Sequence, residues 1–176
     1  MKDLRFPIGP LSEFKRIEVP HRAGYVEEIG QFPNLMIEKV QSLSNEELAL
    51  AYRSDGWNIA QVVHHCADSH LNAYARFRLA LTEERPKIRP YYEERWAELP
   101  DAMSTNLEPS LNLLKGVHHR WRKLLLSMSK EQWLRTYLHP EHHEEYELIE
   151  ALAQYVWHCR HHLAHIDQAL ERKHGH

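Results

Sequence analysis

Glycine and cysteine are scarce in this chain, and apolar residues never run on long enough to cross a bilayer. Of 176 residues, six are glycine and two are cysteine. Scattered glycines leave no glycine-rich loop to cradle a phosphate. Cys66 and Cys159 both fall inside apolar helical stripes, so each reads as a buried thiol packed as a small hydrophobe. Nowhere do about 18 apolar residues follow one another, and the opening Met1-Lys2-Asp3-Leu4-Arg5 is charged, so neither a membrane span nor a signal peptide is expected. The cytoplasm is the expected compartment. The formal charge is −3, from 22 basic and 25 acidic side chains with no long run of either sign. That balance argues against nucleic acid or a membrane surface as partner.

Several catalytic signatures are missing as well. No His-Glu-x-x-His occurs, which excludes a zincin. The Glu-x-x-His matches, Glu18 to His21 and Glu171 to His174, lie across Pro20 and in the tail, which disfavours a di-iron carboxylate bundle. No Ser-His-Asp or Cys-His order stands out.

Histidine is what the chain has in excess, 15 residues against 4 Met and 4 Phe. Some of these are expected to be incidental, and Lys173-His174-Gly175-His176 reads as a frayed tail. The densest cluster is His158, His161, His162 and His165, in a C-terminal segment whose apolar residues Leu148, Leu152, Val156, Cys159, Leu163, Ile166 and Leu170 step by three and four. That is the stripe of a helix packed in a bundle.

Three more long helices precede it, giving four in a single domain over 1–176, long enough to bury a core without a disulfide or metal staple. Pro7, Gly9, Pro10 and Pro20 mark residues 1–20 as an extended arm lying over the body or a neighbour. Tyr25, Ile29, Phe32, Met36, Val40 and Leu43 recur at helical spacing over 21–43, with Pro33 expected to bend that helix. Ser44 and Glu47 form a capping box for a short turn. Asn58 and Gln61 cap the next helix, whose stripe is Ile59, Val62, Cys66, His70, Ala73, Phe77 and Leu81. His70 in that stripe reads as a core histidine satisfied by a hydrogen bond. Residues 85–105, with Pro86, Pro90, Pro100, Tyr91, Tyr92 and Trp96, are too aromatic for a plain linker and are expected to fold over one end of the bundle. Pro109 suits the first turn of a third long helix burying Leu111, Leu114, His118, Trp121, Leu125 and Met128. Ser129 to Gln132 opens another short turn, and the residues flanking Pro140-Glu141-His142-His143 read as a small hairpin or a loop.

At roughly 100° per residue, His158 and His162 lie one turn apart at the same edge of the last stripe, so two imidazoles can reach one ion from a rigid support. His161 falls almost opposite and is expected to face solvent. His165 can stand behind the site as an outer partner. A third ligand must come from elsewhere, and His64 and His65 flank the second helix's stripe so evenly that periodicity does not choose between them. Three imidazoles with an open fourth position would make a catalytic site. The alternative is a bundle whose histidines are ordinary surface and core residues. Ser69, Asn72 and Arg76 follow His65 at steps of four, three and four, and read either as substrate contacts beside the metal or as an exposed polar face. Of these, Arg76 could hold a carboxylate or phosphate bidentately.

Particular stretches resemble a known family. They are Gly56-Trp57, Gln61-Val62-Val63-His64-His65, Ala67-Asp68-Ser69-His70, Arg89-Pro90-Tyr91, Arg95-Trp96-Ala97-Glu98-Leu99, His139-Pro140, and Tyr155-Val156-Trp157-His158 with His161-His162. Together with Phe6-Pro7-Ile8-Gly9 they make nearly the whole chain similar to the YfiT group of DinB/YfiT-like metalloenzymes. The resemblance implies an all-α four-helix bundle of unusual connectivity, a homodimer, and one divalent ion per subunit, zinc or nickel, on His65, His158 and His162. It implies a metal-dependent hydrolase acting on a small molecule, with a metal-activated water as nucleophile. A metal-dependent transferase of a thiol such as bacillithiol is the alternative. A non-catalytic metal-binding module is a third reading, which a fourth protein ligand such as His118 would favour.

Overall fold

The computed structural model describes residues 3–13 and 22–174. Residues 14–20 of the expected arm, His21 at the expected start of the first helix, and the last two residues of the tail lie outside them.

Local chemistry sets most helix starts. In α1 (Arg22–Val40) Val26, Ile29, Phe32, Met36 and Val40 are buried at helical spacing, with Pro33 inside the helix. The short α2 (Asn45–Leu48) opens on the Ser44–Glu47 capping box, and α3 (Ile59–Thr82) on the Asn58–Gln61 box. In each box a side-chain oxygen accepts from the third backbone N–H, while the Glu or Gln reaches back to the cap N–H, satisfying two orphan donors. A four-residue α4 (Glu93–Trp96) lies in the connection to α5 (Glu108–Ser127), which has proline in its first turn. Then come α6 (Lys130–Trp133), capped by Ser129 and Gln132, the strands β1 (Thr136–His139) and β2 (Glu144–Glu147), and α7 (Leu148–His174). The strands settle the hairpin-or-loop alternative: they pair antiparallel, with Thr136 opposite Glu147 and His139 opposite Glu144.

The four long helices form a ring in which α1 packs on α5 and α7, and α3 packs on the same two. Consecutive helices α1 and α3 are therefore diagonal, as are α5 and α7. Long connections separate each pair of consecutive long helices, with α2 in the first, α4 in the second, and α6 and the hairpin in the third. The core includes Phe32, Phe77, Leu114, Trp121, Leu152 and Ile166, each fully buried. Cys66 and Cys159 are buried free thiols, and burial raises both pKa values. No described helix is long and apolar enough to cross a membrane.

Two peripheral segments shape one end of the bundle. The arm turns at Asp3–Phe6 and again at Phe6–Gly9, and lies along α7. The Leu4 carbonyl accepts from Gln168, that of Arg5 from His165, and that of Gly9 from the Trp157 indole. Gly9 adopts φ 86°, a conformation natural to glycine. The other segment begins at Pro86, where Ile88 donates to the Leu138 carbonyl and Leu138 donates to that of Pro86. These bonds tie the 85–92 stretch to the hairpin.

Candidate metal centre

His65 on α3 and His158 and His162 on α7 bring one ring nitrogen each to a common point. The Nε2 atoms of His65 and His162 both lie 3.2 Å from Nε2 of His158. All three ligand atoms fall within 4.8 Å of one another, and among the described residues this is the group of His, Cys, Asp and Glu that could hold a metal ion. A tetrahedral ion bound at about 2.0–2.1 Å by imidazoles keeps their nitrogens about 3.3 Å apart. Two of the three nitrogen pairs meet that spacing, and the third stays within 4.8 Å.

Hydrogen bonds decide which nitrogens are bare. Nδ1 of His118 lies 2.5 Å from the Ile29 carbonyl, which can only accept, so that nitrogen carries the proton. Burial holds His118 neutral, its pKa lowered to about 4, which leaves its Nε2 as an acceptor. That atom is 2.7 Å from Nδ1 of His70, which must donate. His70 is fully buried, and burial lowers its pKa well below the usual value, so its own Nε2 accepts from Nδ1 of His158 at 3.0 Å. The proton of His158 is thus on Nδ1, and the lone pair of Nε2 points into the cluster.

The carbonyl that anchors this relay is free for a reason written in the sequence. In a helix Ile29 would accept from the N–H four residues on, and that residue is Pro33, which has none.

A second relay orients His162. Nε2 of His165 lies 3.2 Å from the Arg5 carbonyl, and its Nδ1 lies 3.4 Å from Nδ1 of His162. Burial keeps His165 neutral, with its pKa lowered to about 4. His162 then donates from Nδ1 and presents a bare Nε2. Two histidine chains, each ending on a main-chain oxygen, preset ligand tautomers in the way outer partners do at metal sites. His65 packs at 4.6 Å against the Trp57 ring, and burial lowers its pKa to about 4.

Other candidates are sorted by the same geometry. His64 turns away from the cluster, with Nδ1 2.7 Å from Ser110 Oγ and Nε2 2.8 Å from the Ser104 carbonyl. His118 has both nitrogens engaged and is not a fourth ligand. His161 corrects the expectation from helical phase: it is 7% exposed, stacked 4.3 Å from Trp157 with Phe6 beyond at 6.1 Å. The arm covers the face that helical phase alone assigns to solvent. Asn72 donates to the Asp68 carbonyl one turn back and lines neither cavity beside the cluster.

Two cavities meet at His158. One, about 560 Å³, is lined by Ser69, Arg76, Tyr91, His139 and Tyr155. The other, about 740 Å³, is lined by Arg5, Trp57, His65, Trp157 and His162. Glu93 and Glu94, from the segment expected to fold over the bundle end, border both. Desolvation, with Glu94 adjacent, raises the Glu93 pKa, a condition that suits proton transfer. Glu93 has no signal in the sequence beyond the richness of residues 85–105 in aromatics and prolines, whereas Tyr155 and His139 stand in the stretches that carry the family resemblance but with no role assigned.

Comparisons with known proteins identify relatives of the chain. The chain is 43% identical over 172 residues to a "putative metal-dependent hydrolase" of Bacillus cereus (strain 03BB102), covering 98% of both chains. It is equally similar to one from Bacillus mycoides (strain KBAB4). Its structure superposes with a TM-score of 0.92, at 39% identity, on YfiT from Bacillus subtilis, described as "a probable metal-dependent hydrolase with an unusual four-helix bundle topology", over 97% of this chain and 98% of that one. The family model of the DinB superfamily matches residues 29–166, and the chain belongs to that superfamily.

Proposed function

We propose that the protein is a metal-dependent hydrolase of a small-molecule substrate, with one divalent ion, zinc or nickel, held by His65, His158 and His162. The observation that carries this reading is the convergence of three Nε2 atoms at 3.2 Å steps, with the lone pairs of two set by relays. An ion held there by three neutral imidazoles would acidify a bound water toward neutrality and supply a nucleophile. The chain's own residues do the rest. The relays hold the ligands' protons away from the ion, Trp57 packs on His65, and Glu93 stands between the two cavities where a proton must be taken up or released.

The decisive experiment compares zinc- and nickel-loaded protein with His158→Ala on a panel of esters and amides in the absence of thiol. Metal-dependent turnover that the variant lacks supports hydrolysis. One observation favours a second reading: with two cavities abutting His158, two organic reactants can be seated at once, as transfer of a thiol such as bacillithiol requires. Cobalt-substituted protein would then gain an intense sulfur-to-metal absorption on adding the thiol, with electrophile consumed only in its presence.

A further inference from the structure

The cavity on the hairpin side of His158 contains a cation without a counter-charge. Among the described arginines, Arg5, Arg85, Arg122, Arg135 and Arg160 each lie against a carboxylate. Of those that do not, Arg53 and Arg76 have a buried Nε without a hydrogen-bond partner; Arg53 donates to the Ser54 carbonyl beside the other cavity, whereas Arg76 lines this one. Its Nη1 is 3.4 Å from the Tyr155 hydroxyl, and its Nε is buried without any hydrogen-bond partner. A guanidinium carries five donors in a planar fork suited to two oxygens of one anion. Leaving such donors unmatched away from water is costly, unless a ligand completes them.

The surroundings extend the same pattern. Nδ1 of His139, across the cavity on β1, is also buried and unpartnered. Ser69, Tyr91 and Tyr155 line the same cavity, and Ser69 Oγ lies 3.5 Å from Nε2 of His158. The path from the histidine cluster to Arg76 is therefore lined by neutral hydroxyls. Carboxylates occur at the mouth, where Glu94 and Glu141 are exposed and screened by water; Glu93 beside them is partly desolvated, which favours its neutral form. Arg95 stands among them, 4.4 Å over the Tyr92 ring. At about 560 Å³ the space suits a small organic molecule.

We propose that Arg76 anchors an anionic oxygen group of the substrate, a carboxylate or a phosphate, while the reacting bond lies at the three histidines. This rests on the hydrolase reading for the reaction but not for the anion site itself. Ser69 and Arg76 are separated by two turns of α3, about 10 Å along its axis. The substrate is accordingly an ester or amide whose negative charge sits several bonds from the bond that is cut. Neutral esters of the same size should react poorly.

The test uses the full chain stripped of metal, so that an anion cannot bind to the ion instead. Binding of benzoate, phenyl phosphate and the neutral benzamide is measured by titration calorimetry. Benzoate or phenyl phosphate should bind at least about tenfold more tightly than benzamide, the difference expected of a charge-assisted pair. Arg76→Gln should remove that preference and leave benzamide unaffected. Arg76→Lys should retain part of it, and Arg172→Gln, which deletes an exposed charge on the distal part of α7, should retain all of it. Whichever anion binds better identifies the oxygen group. Equal binding of benzamide and both anions by the wild-type chain, no measurable binding of either anion, or an undiminished preference in Arg76→Gln would each overturn the proposal. If Arg76→Gln loses its helical signal, the wild-type comparison of anion with amide still decides. Because no turnover is read, failure of the hydrolase reading leaves this result intact.

Discussion

His118 reaches across the bundle to hydrogen-bond the carbonyl of Ile29 at 2.5 Å, an oxygen left free because Pro33 has no N–H to give it. A proline four residues along α1 thus helps decide the tautomer of His158 through His118 and His70. Replacing Pro33 by Ala would restore a competing donor to that carbonyl. The expected outcome has two parts of opposite sign: the helix becomes more stable, while affinity for the ion weakens by up to about tenfold, the lower end of what loss of an outer partner costs. Chelator competition together with urea unfolding measures both. Unchanged metal affinity in Pro33→Ala would break the link between that carbonyl and the site.

Alanine at His65, His158 or His162 should each remove most of the bound metal. His161→Ala should not, since its ring stacks on Trp157 and is absent from the cluster. Its cost falls on stability instead, about 2–3 kcal/mol for emptying a buried ring site. Elemental analysis and thermal melts of the four variants separate the two effects. Metal loss in His161→Ala comparable to the other three would contradict the ligand assignment.

Chelation should leave the helices in place. The four stripes bury a core that does not depend on the ion, unlike a small metallo-domain. The thermal midpoint should fall, because a ligand bound only to the folded state is withdrawn. Loss of the far-ultraviolet helical signal at room temperature would show that the ion is structural.

Acid should weaken the metal-free protein well before its carboxylates titrate. His118 is buried with its pKa lowered from 6.5 to about 4, so between those values the unfolded chain binds a proton that the folded chain refuses. Its contribution is fully present above pH 6.5 and is lost as pH falls toward 4, amounting to about 2 kcal/mol at pH 5. Urea midpoints of metal-free protein at pH 7.5 and pH 5 check the sign. Equal or higher stability at pH 5 would refute it.

Much of this was legible because it is local. Asn58 with Gln61, Ser44 with Glu47 and Ser129 with Gln132 are boxes closed within three residues, and all three form. The His158–His162 pair follows from one turn of one helix. His64 and His65 flank their stripe evenly, and what separates them is Ser110, far along the chain on α5. His161 departs from its expected exposure for a related reason: phase around α7 assigns its side of the helix to water, whereas Phe6 and Trp157 close over it. The bond from His118 to Ile29 depends on α5 lying beside α1, a fact no window of sequence contains.

The arm meets α7 through three main-chain oxygens, those of Leu4, Arg5 and Gly9, and one of them orients the histidine behind His162. Because the backbone makes these bonds, the side chains at Leu4 and Arg5 are free to change without breaking them. Leu4 is 37% exposed and the Arg5 side chain 65%, and Arg5 also borders the larger cavity. A library randomised at these two positions should therefore yield metal-competent proteins that differ in what the larger cavity admits. The arm is a place where selectivity can be retuned while the ligand geometry stays as it is.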